Sequence, residues 1–216
     1  TYRRPFFDRL VRATLAAVLP YPGRFRAAVA AACFVRAFAS VVRRIPGLAR
    51  VGAMISLAPA KLPPAPAGAR VVKAEGVRKG RVALLRGCAQ SVLDPGINEA
   101  AIRLLTRHGV EVVLAAGEGC CGALPHHMGK AAQSHALARN NIDVWTREIE
   151  GEGLDAILIT TSGCGTTIKD YGFLFRTDPA YAGKAAQVAG RAKDITEYLE
   201  LLGRGAPTKA PPGRTV

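Results

Sequence analysis

Two adjacent cysteines between glycines, Gly119-Cys120-Cys121-Gly122, constrain this chain more than any other stretch. On an extended strand, neighbouring side chains point to opposite faces. Two thiols can therefore face one object only if the backbone turns sharply beside them. Glycine adopts the positive φ angles of such turns at little cost, so we expect Gly119 and Gly122 to permit the turn.

From residue 81 onward, short apolar runs alternate with amphipathic stretches. Strands are predicted over 81–86, 110–115 and 155–160, and helices over 98–108, 130–150, 180–189 and 194–202. Strands that alternate with helices form right-handed crossovers and a parallel sheet. The predicted fold class is therefore α/β, a small parallel sheet with flanking helices.

The first 60 residues are strongly basic. They contain ten arginines, no lysine and one acid, Asp8, which accounts for +9 of the chain's net charge of +14. Their periodicity predicts two helices, over 5–19 and 24–44. These helices either pack against the rest of the protein or form a basic surface that contacts an anionic membrane. We expect no stretch of the ~18 apolar residues that spans a bilayer, and no nucleic-acid binding, because aromatic residues are not interleaved with the arginines.

Composition divides the chain into four parts. These are a basic helical segment (1–56), a Pro/Ala-rich linker (57–80), a cysteine-rich α/β domain (81–203) and a linker-like tail (204–216). The start at Thr1 and the tail suggest cuts through a longer protein. Five cysteines without the spacing of a secreted disulfide framework indicate a reducing, cytoplasmic location.

Four of the cysteines follow the predicted strands. Cys88 comes after the first strand, Cys120 and Cys121 after the second, and Cys164 after the third. The carboxyl ends of parallel strands lie along one edge of a sheet, where ligand sites of open α/β sheets form. We therefore expect these four thiols to meet, whereas Cys33 lies in an Ala-rich helix and is expected in a core.

A set of four thiolates suits a soft metal, either structural zinc or an iron–sulfur cluster. The chain has no Cys-x2-Cys knuckle, and an adjacent pair is awkward for one tetrahedral ion, which favours the cluster. A redox dithiol, or plain burial of the cysteines, is the alternative. His126 and His127 follow closely and could bind metal, relay a proton, lie beside a quinone or simply face solvent.

Several short motifs resemble one family. They are Gly87-Cys88, the run Gly119 to Lys130 with its His-His-Met-Gly, Ala138 to Asp143 with its Asn-Asn-Ile-Asp, Ser162 to Gly165, Lys169 to Gly172 and Ala192 to Ile195. Together they resemble the cysteine-rich CCG domain of the glycolate oxidase (glycolate dehydrogenase) iron–sulfur subunit. The resemblance covers about residues 81–203, and helices 1–56 resemble the preceding segment in that family. The ferredoxin-like domain and second CCG repeat of the family are not in this sequence, and Thr167 stands where the motif's last cysteine would fall.

The resemblance implies an electron-transfer subunit. Cys88, Cys120, Cys121 and Cys164 would bind a cluster of the 4Fe-4S type, with His126, His127 and Thr167 as possible outer neighbours. Flavin would be present only on partner subunits that oxidise glycolate to glyoxylate, and electrons would pass on to a quinone at the inner face of the cytoplasmic membrane. Related lactate, glycerol-3-phosphate and heterodisulfide reductase subunits, or a zinc-binding interaction module, are the alternatives. This chain alone is not expected to oxidise glycolate.

Overall fold

The described part of the chain, residues 5–203 of a computed structural model, begins with four helices. These are α1 (Phe6–Val18), α2 (Pro22–Val35), α3 (Ala39–Arg44) and α4 (Ala49–Ser56), with a 3-10 turn, Arg36–Phe38, between α2 and α3. The two predicted helices are thus present, and α4 is an addition. Helix α1 is tied to the following domain, because the Gln133 side-chain amide donates to the Ala16 carbonyl at 2.7 Å.

The helical stretch Pro22–Arg44 differs from expectation in one respect. Its length and its mean hydropathy of 1.7 are sufficient for a membrane-crossing helix, and only 11% of its most apolar window is buried. The sequence analysis missed this because Arg26 and Arg36 interrupt the apolar run. The mean hydropathy is taken over a window of residues and stays high despite these two arginines. Such a stretch near the amino terminus is by itself weak evidence for a membrane span.

In the part of the chain that the structure describes, five strands form one sheet. They are β1 (Arg70–Val72), β2 (Gly80–Leu84), β3 (Val110–Leu114), β4 (Ala156–Ile159) and β5 (Ala192–Asp194), in the order β1-β3-β2-β4-β5. Strands β2 to β5 pair in parallel, and β1 is antiparallel to β3. The predicted α/β class with a mainly parallel sheet and a preceding helical segment is confirmed. Strands β1 and β5 are additions.

Within residues 5–203, seven further helices connect the strands and an eighth follows the last strand. They are α5 (Gln90–Leu93), α6 (Gly96–Arg107), α7 (Ala123–His127), α8 (Ala131–Glu150), α9 (Ser162–Lys169), α10 (Tyr171–Leu174), α11 (Ala182–Arg191) and α12 (Ile195–Leu201). The expected start of α12 is confirmed in detail. Asp194 accepts from the Thr196 amide, and the Glu197 carboxylate accepts from the Asp194 amide, which is a capping box.

The sheet has a hydrophobic core on each face. Alternate residues of the strands pack against α6 and α12 on one side and against α8 to α11 on the other. In β4, for example, Ala156 and Leu158 belong to the first core, and Ile157 and Ile159 belong to the second. Burial on both faces explains why these strands are continuous apolar runs rather than alternating ones.

The strand order creates a crevice. From β2 the chain passes over one face, through α6, to β3, and returns over the other face, through α8, to β4. The connections therefore diverge between β2 and β4, and ligands of open α/β sheets bind outside the carboxyl ends of such strands. Cys88 and Cys164 follow these two strands.

The division into four parts stays a prediction. Strand β1 lies inside the predicted linker 57–80. Part of that segment, residues 70–72, therefore belongs to the sheet rather than to an irregular connection. The predicted tail 204–216 and residues 1–4 lie outside the described residues.

Candidate metal centre

The thiols of Cys88, Cys120, Cys121 and Cys164 lie together at the carboxyl edge of the sheet. Cys120 shifts the pKa of Cys88, Cys121 shifts that of Cys120, and Cys164 shifts that of Cys121, so consecutive thiols of this group lie close together. Cys120 and Cys121 are buried, and the outer two are partly exposed. The structure thus brings these four side chains into one row, while their role as ligands stays a prediction. Cys33 lies apart, with its Sγ 3.2 Å from the Pro59 carbonyl oxygen.

The row is not a single-ion site. Within residues 5–203, no three His, Cys, Asp or Glu side chains are arranged to hold one metal ion. A row of pairwise contacts therefore fits one tetrahedral zinc poorly. A cluster with several irons fits better, because separate irons can bind separate thiolates.

The environment of Cys88, Cys120 and Cys121 favours the protonated thiol. A hydrogen bond with Cys120, together with burial, raises the pKa of Cys88 far above its usual value. The neighbouring Cys121 is the main cause that raises the pKa of Cys120 to about 11. At Cys121 the hydrogen bond with Cys120 lowers the pKa, but Cys164 and burial outweigh it and the value is about 12. Four thiolates at this edge therefore need a cationic partner, which is the condition that a metal cluster satisfies.

Backbone amides supply donors to the sulfurs. The Gly122 amide nitrogen lies 3.5 Å from Cys120 Sγ. The Ala89 amide lowers the pKa of Cys88, and the Ala123 amide lowers that of Cys121. Amide hydrogen bonds stabilise thiolate and tune the reduction potential of a bound cluster.

Side chains hold every carbonyl of the cysteine-pair loop, Gly119–Gly122. The Asn141 amide donates to the Gly119 and Cys120 carbonyls, each at 3.2 Å, and its Oδ1 accepts from the Gly119 amide at 2.8 Å. The Tyr171 hydroxyl donates to the Cys121 carbonyl at 2.7 Å, and the Ser134 hydroxyl donates to the Gly122 carbonyl at 3.0 Å. All three side chains are buried. The loop is therefore fixed by α8 and α10 rather than by strand pairing.

The turn at the cysteine pair depends on Gly122. Its φ of +87° is left-handed, and a Cβ at this position would lie 2.8 Å from the Ser134 carbonyl oxygen. The expectation that Gly119 also takes a positive φ was wrong. The nearest glycine with a positive φ that comes before Gly122 is Gly117. Gly119 is instead held by the Asn141 side chain through both its amide and its carbonyl.

A buried carboxyl group lies just before the loop. The Glu118 side chain is 2% exposed, accepts from the Arg86 amide at 2.9 Å, and lies 3.5 Å from the Arg86 guanidinium. Burial raises the pKa of Glu118 to about 7, although Arg86 opposes the shift. The Trp145 indole lowers the pKa of this carboxyl, but neither Glu118 Oε2 nor Trp145 Nε1 has a hydrogen-bond partner among the described residues.

Gln90 joins the two sides of the crevice. Its side chain exchanges hydrogen bonds with Thr160 at 2.9 and 3.1 Å, accepts from Thr161 at 2.9 Å, and donates to Asn98 at 2.6 Å. Asn98 in turn donates to the Arg86 carbonyl at 2.8 Å. This network holds the Cys88-bearing loop against the end of β4.

The other predicted neighbours lie at the periphery. His126 and His127 are exposed on α7, with ring centroids 5.8 Å apart. Thr167 lies on α9, where its hydroxyl donates to the Gly163 carbonyl at 3.0 Å. The structure records no hydrogen bond from these three side chains to a cysteine sulfur among the residues it describes.

Sequence analysis missed the residues that support the two cysteine-bearing loops. Ser134, Asn141 and Tyr171 support the cysteine-pair loop, and Gln90 supports the loop that carries Cys88. One signal was available for Asn141. It lies between Ala138 and Ile142 on the apolar stripe of α8, and a polar residue within such a stripe requires buried partners. Tyr171 and Ser134 carried no comparable signal, since their partners are backbone atoms that are distant in the sequence.

Comparison with known families agrees with this geometry. Residues 82–169, which include all four thiols of the row, match the cysteine-rich domain family called CCG. The chain contains a CCG cysteine-rich domain. The predicted resemblance to this family is thereby confirmed, and the cysteine-pair loop lies near the middle of the CCG domain.

Curated relatives extend the similarity beyond the CCG domain. The chain is 40% identical over 201 residues to the glycolate oxidase iron-sulfur subunit of Escherichia coli, covering 91% of this chain and 44% of that protein. It is 31% identical over 133 residues to a probable glycolate oxidase iron-sulfur subunit of Bacillus subtilis, covering 62% and 29%. Lactate utilization protein A of Bacillus licheniformis is 27% identical over 119 residues, 55% of this chain and 48% of that protein. The chain thus spans less than half the length of these relatives. No solved structure matches it.

Proposed function

We propose that this chain is part of an iron–sulfur electron-transfer subunit of a glycolate dehydrogenase. The observation that carries the proposal is the row of four thiols, gathered from the ends of three parallel strands. Similarity to proteins named as glycolate oxidase iron-sulfur subunits supports the assignment. When bound, a cluster of the 4Fe-4S type would accept and release single electrons.

The chain's own residues would hold and tune that cluster. Cys88, Cys120, Cys121 and Cys164 would supply the thiolates. The amide donors at Cys120 and Cys121 would stabilise the added negative charge of the reduced state, and the burial of these two residues would limit contact with water. The partly exposed Cys88 and Cys164 would lie where electrons enter or leave.

Metal and sulfide analysis tests this proposal. The chain, purified without oxygen, should be brown and contain iron and acid-labile sulfide. Cys121→Ser should lose most of that iron, whereas Cys33→Ser should keep it, because only Cys121 belongs to the row. A colourless protein with stoichiometric zinc would instead support the structural zinc module.

A related dehydrogenase subunit is the second candidate. Relatives named lactate utilization protein A favour it, at 27% identity compared with 40% for the glycolate oxidase relative. The partner subunits decide between them. We propose flavin-containing glycolate oxidase subunits, so the co-expressed complex should reduce a quinone analogue with glycolate and much more slowly with lactate. The reverse preference would favour the lactate branch.

We also propose that the electrons reach a quinone at the inner face of the cytoplasmic membrane, where the helical segment contacts anionic lipid. Along Pro22–Arg44, the apolar side chains of Phe34, Phe38 and Val41 are exposed. Phe34 and Phe38 are 87% and 62% exposed. The eight arginines among residues 5–60, against the single acid Asp8, add positive charge that complements anionic headgroups.

Vesicle binding tests this location. The intact chain should co-sediment with vesicles that contain phosphatidylglycerol and less with neutral phosphatidylcholine vesicles, and salt should weaken the binding. The double variant Phe34→Ser, Phe38→Ser should bind less. Phe173→Ser removes an exposed phenylalanine from α10, outside the helical segment, and should bind as the wild type does. If both variants bind the vesicles as the wild type does, or if the wild type does not bind them, a protein partner for the Phe34 and Phe38 surface is favoured instead.

A further inference from the structure

Two peptide units in the cysteine-pair loop link a buried hydroxyl to a thiol. The first unit joins Cys121 to Gly122. Its carbonyl accepts from the Tyr171 hydroxyl at 2.7 Å, and its amide donates to Cys120 Sγ at 3.5 Å. A trans peptide is planar, so its C=O and N–H point in opposite directions. Holding the carbonyl therefore fixes the direction of the amide.

The second unit, between Gly122 and Ala123, repeats the arrangement. The Ser134 hydroxyl donates to the Gly122 carbonyl at 3.0 Å, and the Ala123 amide on the other side of that unit lowers the pKa of Cys121. Thus each unit has its carbonyl bound by one hydroxyl, and the Gly122 carbonyl also accepts from the His126 amide at 3.1 Å. The two hydroxyls come from different helices, Ser134 from α8 and Tyr171 from α10.

Both hydroxyls are firmly placed. Tyr171 is completely buried, in edge-to-face contact with Phe175, and Ser134 is 1% exposed. Each hydroxyl donates to the carbonyl side of its peptide unit. We propose that Tyr171 and Ser134 are positioning residues that aim the Gly122 and Ala123 amides at the cysteine sulfurs and thereby set the reduction potential of the cluster. This inference rests on the proposed iron–sulfur function.

The tyrosine offers a matched test. Tyr171→Phe removes the hydroxyl and keeps the ring in its core. Tyr181→Phe also removes a hydrogen-bonded hydroxyl, whose partner is Asp143 at 2.8 Å, but it does not touch the loop. Ser134→Ala tests the second peptide unit independently and covers the case in which Tyr171→Phe does not fold.

The readouts are the reduction potential of the cluster, followed by electron paramagnetic resonance, and the rate of iron release to a chelator. A weakened amide donor stabilises the reduced cluster less, so Tyr171→Phe and Ser134→Ala should each shift the potential to lower values. Iron release should be about tenfold faster, the lower end of the effect expected for residues that support metal ligands. Tyr181→Phe should match the wild type in both.

The outcomes separate this inference from the proposed function. A wild-type chain without iron or sulfide would overturn the proposed function itself. An iron-containing wild type whose potential and iron release are the same in Tyr171→Phe, Ser134→Ala and Tyr181→Phe would overturn only the positioning role. A shift in Tyr181→Phe as large as in Tyr171→Phe would do the same, since it would indicate a general loss of packing.

Discussion

Replacing Gly122 with alanine should destabilise the chain through two separable costs. The left-handed φ of +87° costs about 1–2 kcal/mol for a residue with a Cβ. That Cβ would also lie 2.8 Å from the Ser134 carbonyl oxygen, a backbone atom that moves only with α8. Overpacking of this kind costs about 1–3 kcal/mol. The free energy of unfolding should therefore fall by about 2–5 kcal/mol.

Gly129 provides the control for the steric part. Its φ is +74°, but a Cβ there would meet no atom within 4 Å. Gly129→Ala should therefore cost only the conformational part, about 1–2 kcal/mol. The change in the entropy of the unfolded chain is the same in both variants and cancels in the comparison.

Urea denaturation of the reduced, metal-free protein measures both variants. The difference between them should be about 1–3 kcal/mol, the overpacking cost alone. Gly122→Ala should also bind less iron than Gly129→Ala, because relief of the clash displaces the cysteine pair. Equal losses of stability in the two variants would show that the contact with Ser134 does not constrain the loop.

Three further results are expected. Cys121→Ser should reduce iron content far more than Cys33→Ser, measured per folded protein by colorimetric iron analysis. Arg81→Ala should cost about 3 kcal/mol in urea denaturation, the lower end for a broken buried ion pair, because it removes a buried guanidinium from Glu148 and leaves Glu111 with the exposed Arg78. Arg78→Ala, at an exposed site, should cost under about 1 kcal/mol. The Lys169 ammonium lowers the pKa of Glu197 below its usual value of 4.5. The Glu197 carboxylate therefore stabilises the fold above that pH, and this contribution is lost as the pH falls through the lowered pKa. Glu197→Gln should reduce the difference in urea midpoint between pH 7 and pH 3.5.

The sheet was predictable where strands are apolar on both faces. The predicted strand 110–115 corresponds to Val110–Leu114, and 155–160 to Ala156–Ile159. The two edge strands were not predictable in this way. Arg70–Val72 and Ala192–Asp194 each have three residues and partly exposed side chains, so their pairing depends on the sheet that they join.

The proximity of the cysteines could be predicted from the topology of the sheet, but the residues that support their loops could not. Placing Cys88, Cys120 and Cys164 after parallel strands was sufficient to expect them at one edge. The bonds from Asn141 and Tyr171 go to carbonyls 21 and 50 residues away, and backbone acceptors leave no mark in a sequence. Sequence reasoning therefore found the sulfurs and missed the residues that orient the peptides between them.

The four sulfurs are separated along the chain by stretches of 31 and 42 residues, between Cys88 and Cys120 and between Cys121 and Cys164. A cluster bound to all of them would act as a branched cross-link that closes both stretches at once. Like any covalent closure, it would reduce the number of conformations open to the unfolded chain. Iron supply would then govern how long the protein survives proteolysis in the cell, because a chain made during iron starvation would lack this cross-link.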